Sequence, residues 1–122
     1  MRLVHDPPEG DSSVLATEVE FADGVLSKAR GLTFRRSIPD EYALVFRFAE
    51  ARTRRLHMLF VAFPIDAVWL VEGEVTAVAR LRPWTGYGTG EADTVVELPA
   101  GAADRVLPGD RIELRERSDP PG

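Results

Sequence analysis

One ionisable residue, Asp66, stands inside the apolar stretch Phe63-Pro64-Ile65-Asp66-Ala67-Val68-Trp69-Leu70-Val71. Burying an ionised carboxylate there is costly unless a partner neutralises it or its pKa rises. Asp66 therefore calls for an arginine, whose guanidinium can hold a carboxylate through two parallel hydrogen bonds. His57, at the start of the same apolar region, is the second group that could do chemistry, as a general base or a ligand. A solitary histidine beside Met58 and Leu59 is more often a hydrogen-bonded core residue. Trp84 and Tyr87 sit on a stretch with three glycines, Gly86, Gly88 and Gly90, and such rings could line a pocket. The opposing reading is that Trp84 folds back as a lid over one end of the molecule. No helix pattern follows these glycines at once, so they do not form a phosphate or dinucleotide loop.

Other chemistries find little support. There is no cysteine, which excludes disulfides, thiolate metal sites and cysteine nucleophiles. The two histidines, His5 and His57, lie far apart in sequence, so a zinc site would have to recruit scattered carboxylates, and no metal or cofactor is expected. No serine occupies a nucleophile-elbow context. Arg52, Arg54 and Arg55, with Arg35 and Arg36, form the basic clusters. On one surface they could receive a phosphate or acidic partner, but solvated charges are the simpler reading.

The elements that must position these groups are mostly strands. Val14 to Phe21 alternates, with Leu15, Val19 and Phe21 on one side and Glu18 and Glu20 on the other. Asp23 caps a helix expected at about 24–35, with Val25, Ala29 and Leu32 on one face. Leu44, Phe46 and Phe48 mark a further strand, followed by a charged turn at 49–53. From 56 to 71 the near-continuous apolar run, broken by Pro64, predicts two strands buried on both faces. Val71-Glu72-Gly73-Glu74-Val75 signals a tight hairpin. Residues 83–91 read as a glycine-rich loop. A strand at about 93–98, a short helix at about 100–106 and a last strand from Arg111 to Arg115 complete the chain. The expected fold is α+β, predominantly β: a curled, mostly antiparallel sheet or small barrel of about six or seven strands with two short helices. Residues 6–13 read as a loop and 117–122 as a loose tail.

A chain of 122 residues with 44% hydrophobic residues can bury one core, so a single domain spanning 1–122 is expected, with its core at about 14–116. A net charge of −5 disfavours phosphate backbones and anionic lipid surfaces. No nucleic-acid or membrane partner is expected. Neither a signal peptide nor a membrane-length apolar run is evident, so the expected location is cytoplasmic. Lys28 is the one lysine beside 14 arginines, and with the acidic excess this skew fits a GC-rich, halophilic archaeal source.

The order of several short motifs resembles the DUF192 family. Ala29-Arg30-Gly31-Leu32-Thr33-Phe34-Arg35 is similar to that family's ARGLMxR signature, Ala43-Leu44-Val45-Phe46 to its GMLF segment, and Phe63-Pro64-Ile65-Asp66-Ala67-Val68 to its IPLDIIF strand. Val96-Glu97-Leu98-Pro99-Ala100-Gly101 resembles LELPAG, and Gly109-Asp110 the closing VGD turn. The resemblance covers about residues 25–114. Where many members carry FWMKNT, this chain has Leu56-His57-Met58-Leu59-Phe60-Val61. The resemblance implies a compact fold of strands with two short helices and no established activity. It also makes Arg30, inside the best-matched motif, the candidate partner for Asp66.

Three functional expectations follow. The first is a non-enzymatic binding or accessory domain, monomeric, recognising a small molecule, peptide or protein near Trp84, Tyr87 and Arg30. The second is a small hydrolase or isomerase using Asp66 and His57, with Arg30 holding an anionic group. The third is a structural module that assembles through an exposed sheet edge.

Overall fold

Strands with apolar side chains on both faces must be covered on both sides, and the segment from Ile65 to Val71 satisfies that demand at the centre of the molecule. In the computed structural model, which describes residues 1–22, 37–58 and 60–116, this segment is strand β5, with Ile65 to Leu70 all buried. The remaining strands are β1 (Arg2–Asp6), β2 (Ser13–Ala16), β3 (Glu18–Phe21), β4 (Tyr42–His57), β6 (Glu74–Leu81), β7 (Tyr87–Pro99) and β8 (Arg111–Arg115). They form one mixed sheet in the order β2-β1-β8-β6-β5-β7-β4-β3. All pairings are antiparallel except the parallel β3–β4 pair.

The sheet is open rather than a closed barrel: β2 and β3 are its two edges. Only Thr17 separates these strands in sequence. A one-residue link between opposite edges requires the sheet to curl until they approach each other. The strand expected over Val14–Phe21 is therefore two strands broken at Thr17. Its side-chain assignment holds, for Leu15, Val19 and Phe21 all pack against one core cluster.

Two expectations are corrected. The fold is not α+β with two short helices, because the described residues contain no helix. The helix expected at about 24–35 lies outside them. At about 100–106 the chain makes successive turns, closed by bonds from Ala102 N to Pro99 O and from Val106 N to Ala103 O, both 3.0 Å. Gly101 there has φ 98°, a left-handed conformation that breaks a helix. Its N–H and that of Ala103 point to Asp66 instead of to carbonyls four residues back.

The second correction concerns the charged turn at 49–53 and the loop at 83–91. Residues 49–53 and 87–91 belong to strands, which pair into an arm, while residues 83–86 lie in a turn between β6 and β7. From Arg52 to His57, β4 pairs with Ala92 to Tyr87 of β7. Where this arm joins the main sheet, residues 48–51 of β4 face residue 93 alone, a bulge that bends both strands. The bend folds the arm over β5 and β6. Trp69, fully buried, donates its Nε1–H to Arg54 O at 2.9 Å. A Cβ on Gly88 would stand 2.8 Å from Trp69 Cη2, and one on Gly90 2.6 Å from Trp69 Cγ. The alternate glycines are thus one bare face of a strand, laid flat on an indole ring. Met58 and residues 60–64, expected as strand, lie outside the strands, between β4 and β5.

Two cores result. One, between arm and sheet, holds Trp69, Met58, Ile65, Phe46, Leu81 and Ala92. The other, within the curl, holds Leu3, Val45, Val68, Val75, Val96 and Ile112. The β5–β6 hairpin forms as expected: Glu72 and Gly73 both have positive φ, 49° and 81°, the signature of a type I′ turn.

Candidate functional site

Asp66 alternates with Ile65 and Ala67, so its side chain leaves the Trp69 face and enters the opposite one, where it is 3% exposed. Its partner among the described residues is Arg80, directly across the β5–β6 hairpin. Arg80 Nε donates to Oδ1 at 2.9 Å, and the same guanidinium also reaches Asp104. Oδ2 accepts the backbone N–H groups of Gly101 at 3.0 Å and Ala103 at 2.9 Å. A carboxylate so surrounded by donors pins the 99–106 turns to β5. Arg30, the partner implied by family resemblance, lies outside the described residues.

His57 is the exposed last residue of β4, opposite Tyr87. It rides on the arm over the Trp69 face, while Asp66 points into the other side of the sheet. The structure does not bring the two into one cleft.

Trp84 and Tyr87 are 52% and 61% exposed, and Phe60, which the sequence did not single out, is 46% exposed. Trp84 N–H donates to Val61 O at 3.0 Å, tying the 82–86 turn to the segment after β4. The Phe60 and Trp84 rings meet edge to face, with centroids 6.2 Å apart. Both residues have positive φ, 63° and 64°, a conformation unfavourable for bulky side chains. Trp84 is not a buried lid.

The arginines do not converge. Arg52 and Arg54 share one face of β4 and Arg55 takes the other. Arg52 pairs with Glu50 at 3.0 Å. Arg54 bonds to the Glu50 and Ala92 carbonyls and lies 3.9 Å over the Phe48 ring. Arg35 and Arg36 are outside the described residues. No group of three or more histidine, aspartate or glutamate side chains among the described residues is placed to hold a metal.

A second site was not visible in the sequence. His5 on β1 and Asp110, just before β8, are 4% and 5% exposed, and His5 Nε2 meets Asp110 Oδ2 at 2.7 Å. Burial alone would push the Asp110 carboxyl up. The hydrogen bonds from His5 and from Leu107 N–H, with the attraction of His5, outweigh burial and hold it below its ordinary value. This pair lies at a cleft of about 640 Å³ between residues 7–13 and 105–110.

An open, curled eight-stranded sheet with a folded arm is the class of architecture these features define, and matches to known proteins agree. The chain belongs to the DUF192 family, described as an uncharacterized ACR, whose model matches residues 8–114. Among solved structures, a candidate transcription regulator from Sinorhizobium meliloti 1021 superposes with a TM-score of 0.80 at 26% identity, covering 92% of this chain and 91% of that one. A protein of unknown function from Novosphingobium aromaticivorans DSM 12444 superposes with a TM-score of 0.79 at 23% identity, covering 93% and 84%. That second likeness speaks to the fold alone. No functionally curated protein matches the chain. No helix among the described residues is long and apolar enough to cross a membrane.

Proposed function

We propose that this protein is a non-enzymatic binding domain that docks an apolar segment of a peptide or protein partner on the aromatic end formed by Phe60, Trp84 and Tyr87. The observation that carries this reading is the pairing of strain with exposure at Phe60 and Trp84. A left-handed backbone favours glycine or asparagine, and a half-exposed ring contributes little to folding. Neither local conformation nor burial therefore accounts for aromatic residues at these positions, whereas a partner covering them does. Tyr and Trp supply large contact area with a polar handle, as interface anchors do.

Catalysis is disfavoured because Asp66 is saturated with hydrogen bonds and faces away from the arm carrying His57. A nucleic-acid role, suggested by the description of the Sinorhizobium relative, is disfavoured by the net charge of −5 and the divergent directions of Arg52, Arg54 and Arg55. The test is selection from a displayed random-peptide library. Peptides enriched on the wild-type protein are expected to share apolar residues and to lose binding at least tenfold to Trp84→Ala and Tyr87→Ala, but not to Arg52→Ala. Enriched peptides that bind all three variants alike, or no enrichment, would overturn the reading.

A further inference from the structure

The cleft beside His5 and Asp110 lies apart from the aromatic end and has the chemistry of a ligand site in its own right. The chain builds it from both termini of the fold. The β1–β2 connection, Pro7 to Ser12, forms one wall, with two prolines limiting its freedom and Gly10 turning it at φ 107°. The turns on either side of Val106 form the other, presenting Arg105 and Leu107. At about 640 Å³ the cleft falls in the range of small-molecule sites.

Three features point to an occupant. First, His5 is 96% buried by its 4% exposure, yet it lines the cleft and spends only Nε2 on Asp110. Its Nδ1 has no side-chain partner among the described residues and is not one of the buried polar atoms left without one, so it is open to solvent at the cleft and available to a ligand. Second, Arg105 carries a positive charge on one wall with no ion pair among the described residues, while Glu9 and Asp11 carry two negative charges on the other, also unpaired there. Third, Leu107, 62% exposed, gives the same wall an apolar surface. A dianion such as phosphate would be repelled by Glu9 and Asp11, and a simple cation by Arg105. A small molecule bearing both charges satisfies both walls.

We infer that this cleft binds a free α-amino acid, its carboxylate on Arg105, its ammonium toward Glu9 and Asp11, and its side chain against Leu107, with His5 Nδ1 bonding to it from the floor. Ser12 and Ser13 also line the cleft. Ser12 already donates to Asp6 at 3.0 Å, which leaves Ser13, the cross-strand neighbour of His5, to make a further polar contact.

The experiment is a titration of the full chain by calorimetry and by amide chemical-shift mapping with each of the twenty free amino acids. N-acetyl-L-leucine, L-leucinamide and inorganic phosphate serve as controls. At least one free amino acid is expected to bind, with shifts centred on residues 5–13 and 105–110. Its N-acetylated and amidated forms should each bind at least tenfold more weakly. Arg105→Ala and the double variant Glu9→Gln/Asp11→Asn, all at exposed positions, should weaken it at least tenfold while leaving the fold intact. No binding by any amino acid would overturn the inference, as would equal binding of the blocked forms. Preferential binding of phosphate or of the N-acetyl form would show an anion site instead.

Discussion

Removing the Asp66 carboxylate tests how the turns after β7 are held. In Asp66→Ala, the N–H groups of Gly101 and Ala103 lose their acceptor, and Arg80 loses one of its two carboxylates. A buried donor left unsatisfied costs about 1–3 kcal/mol. The Ala103 bond is buried and the Gly101 bond only partly so, which places the two together at roughly 3–4 kcal/mol. Asp66→Asn differs in an instructive way. Its one carbonyl oxygen can still accept both amides, while the new NH₂ faces Arg80, whose side chain is 52% exposed and can turn to Asp104 and water. That variant should lose only about 1–2 kcal/mol. With a urea slope of about 1.5 kcal/mol/M, Asp66→Ala should lower the unfolding midpoint by roughly 2 M and Asp66→Asn by about half as much. Arg80→Ala should lower it less than Asp66→Ala, because the backbone amides keep their acceptor. An Asp66→Ala protein within about 1 kcal/mol of wild type would refute the assignment of those amides to Asp66.

Two further perturbations address the arm and the His5–Asp110 pair. Gly88→Ala places a methyl group against the far edge of the Trp69 ring and should cost about 1–3 kcal/mol. In Trp69→Phe, which removes that edge, the same change should cost clearly less, so thermal melts of the two single variants and the double should not add. For Asp110, a carboxyl held below its ordinary value contributes stability that is fully present above about pH 4 and lost as pH falls through its folded value. Urea midpoints measured against pH should show a wild-type advantage over Asp110→Asn that shrinks on acidification, and a gap that widens there would contradict the pairing.

How much of this was legible in the sequence depended on the range of the interactions involved. The β5–β6 hairpin was visible because its period and its glycine turn are local. The Asp66–Arg80 pair was nearly so. An unbroken two-residue hairpin would set Asp66 opposite Ala79, and the irregularity between Trp69 and Leu70 shifts it by one to Arg80. Nothing in the local pattern announces that shift. β1 escaped notice because Arg2 to Asp6 holds only two aliphatic residues. Its buried histidine finds its partner 105 positions away, where no spacing rule applies. The alternate glycines were misread as a loop because their reason is tertiary, the Trp69 ring beneath them. Likewise the charged stretch after Phe48 is strand because bulging and the Arg54–Phe48 contact offset its polar composition. Trp84 and Tyr87 were recognisable as exposed aromatics, although Tyr87 begins a strand rather than lying in a loop, and Phe60 was hidden within an apolar run that promised burial.

The proposal that the aromatic end serves a partner rather than the fold is tested most directly by measuring the stability of Trp84→Gly alongside its capture of the selected peptides. Glycine relieves the φ of 64° and removes a ring that is 52% exposed. The unfolding midpoint should stay unchanged or rise slightly while peptide binding disappears. A loss of more than about 2 kcal/mol with binding retained would mean that Trp84 is there to hold the fold together.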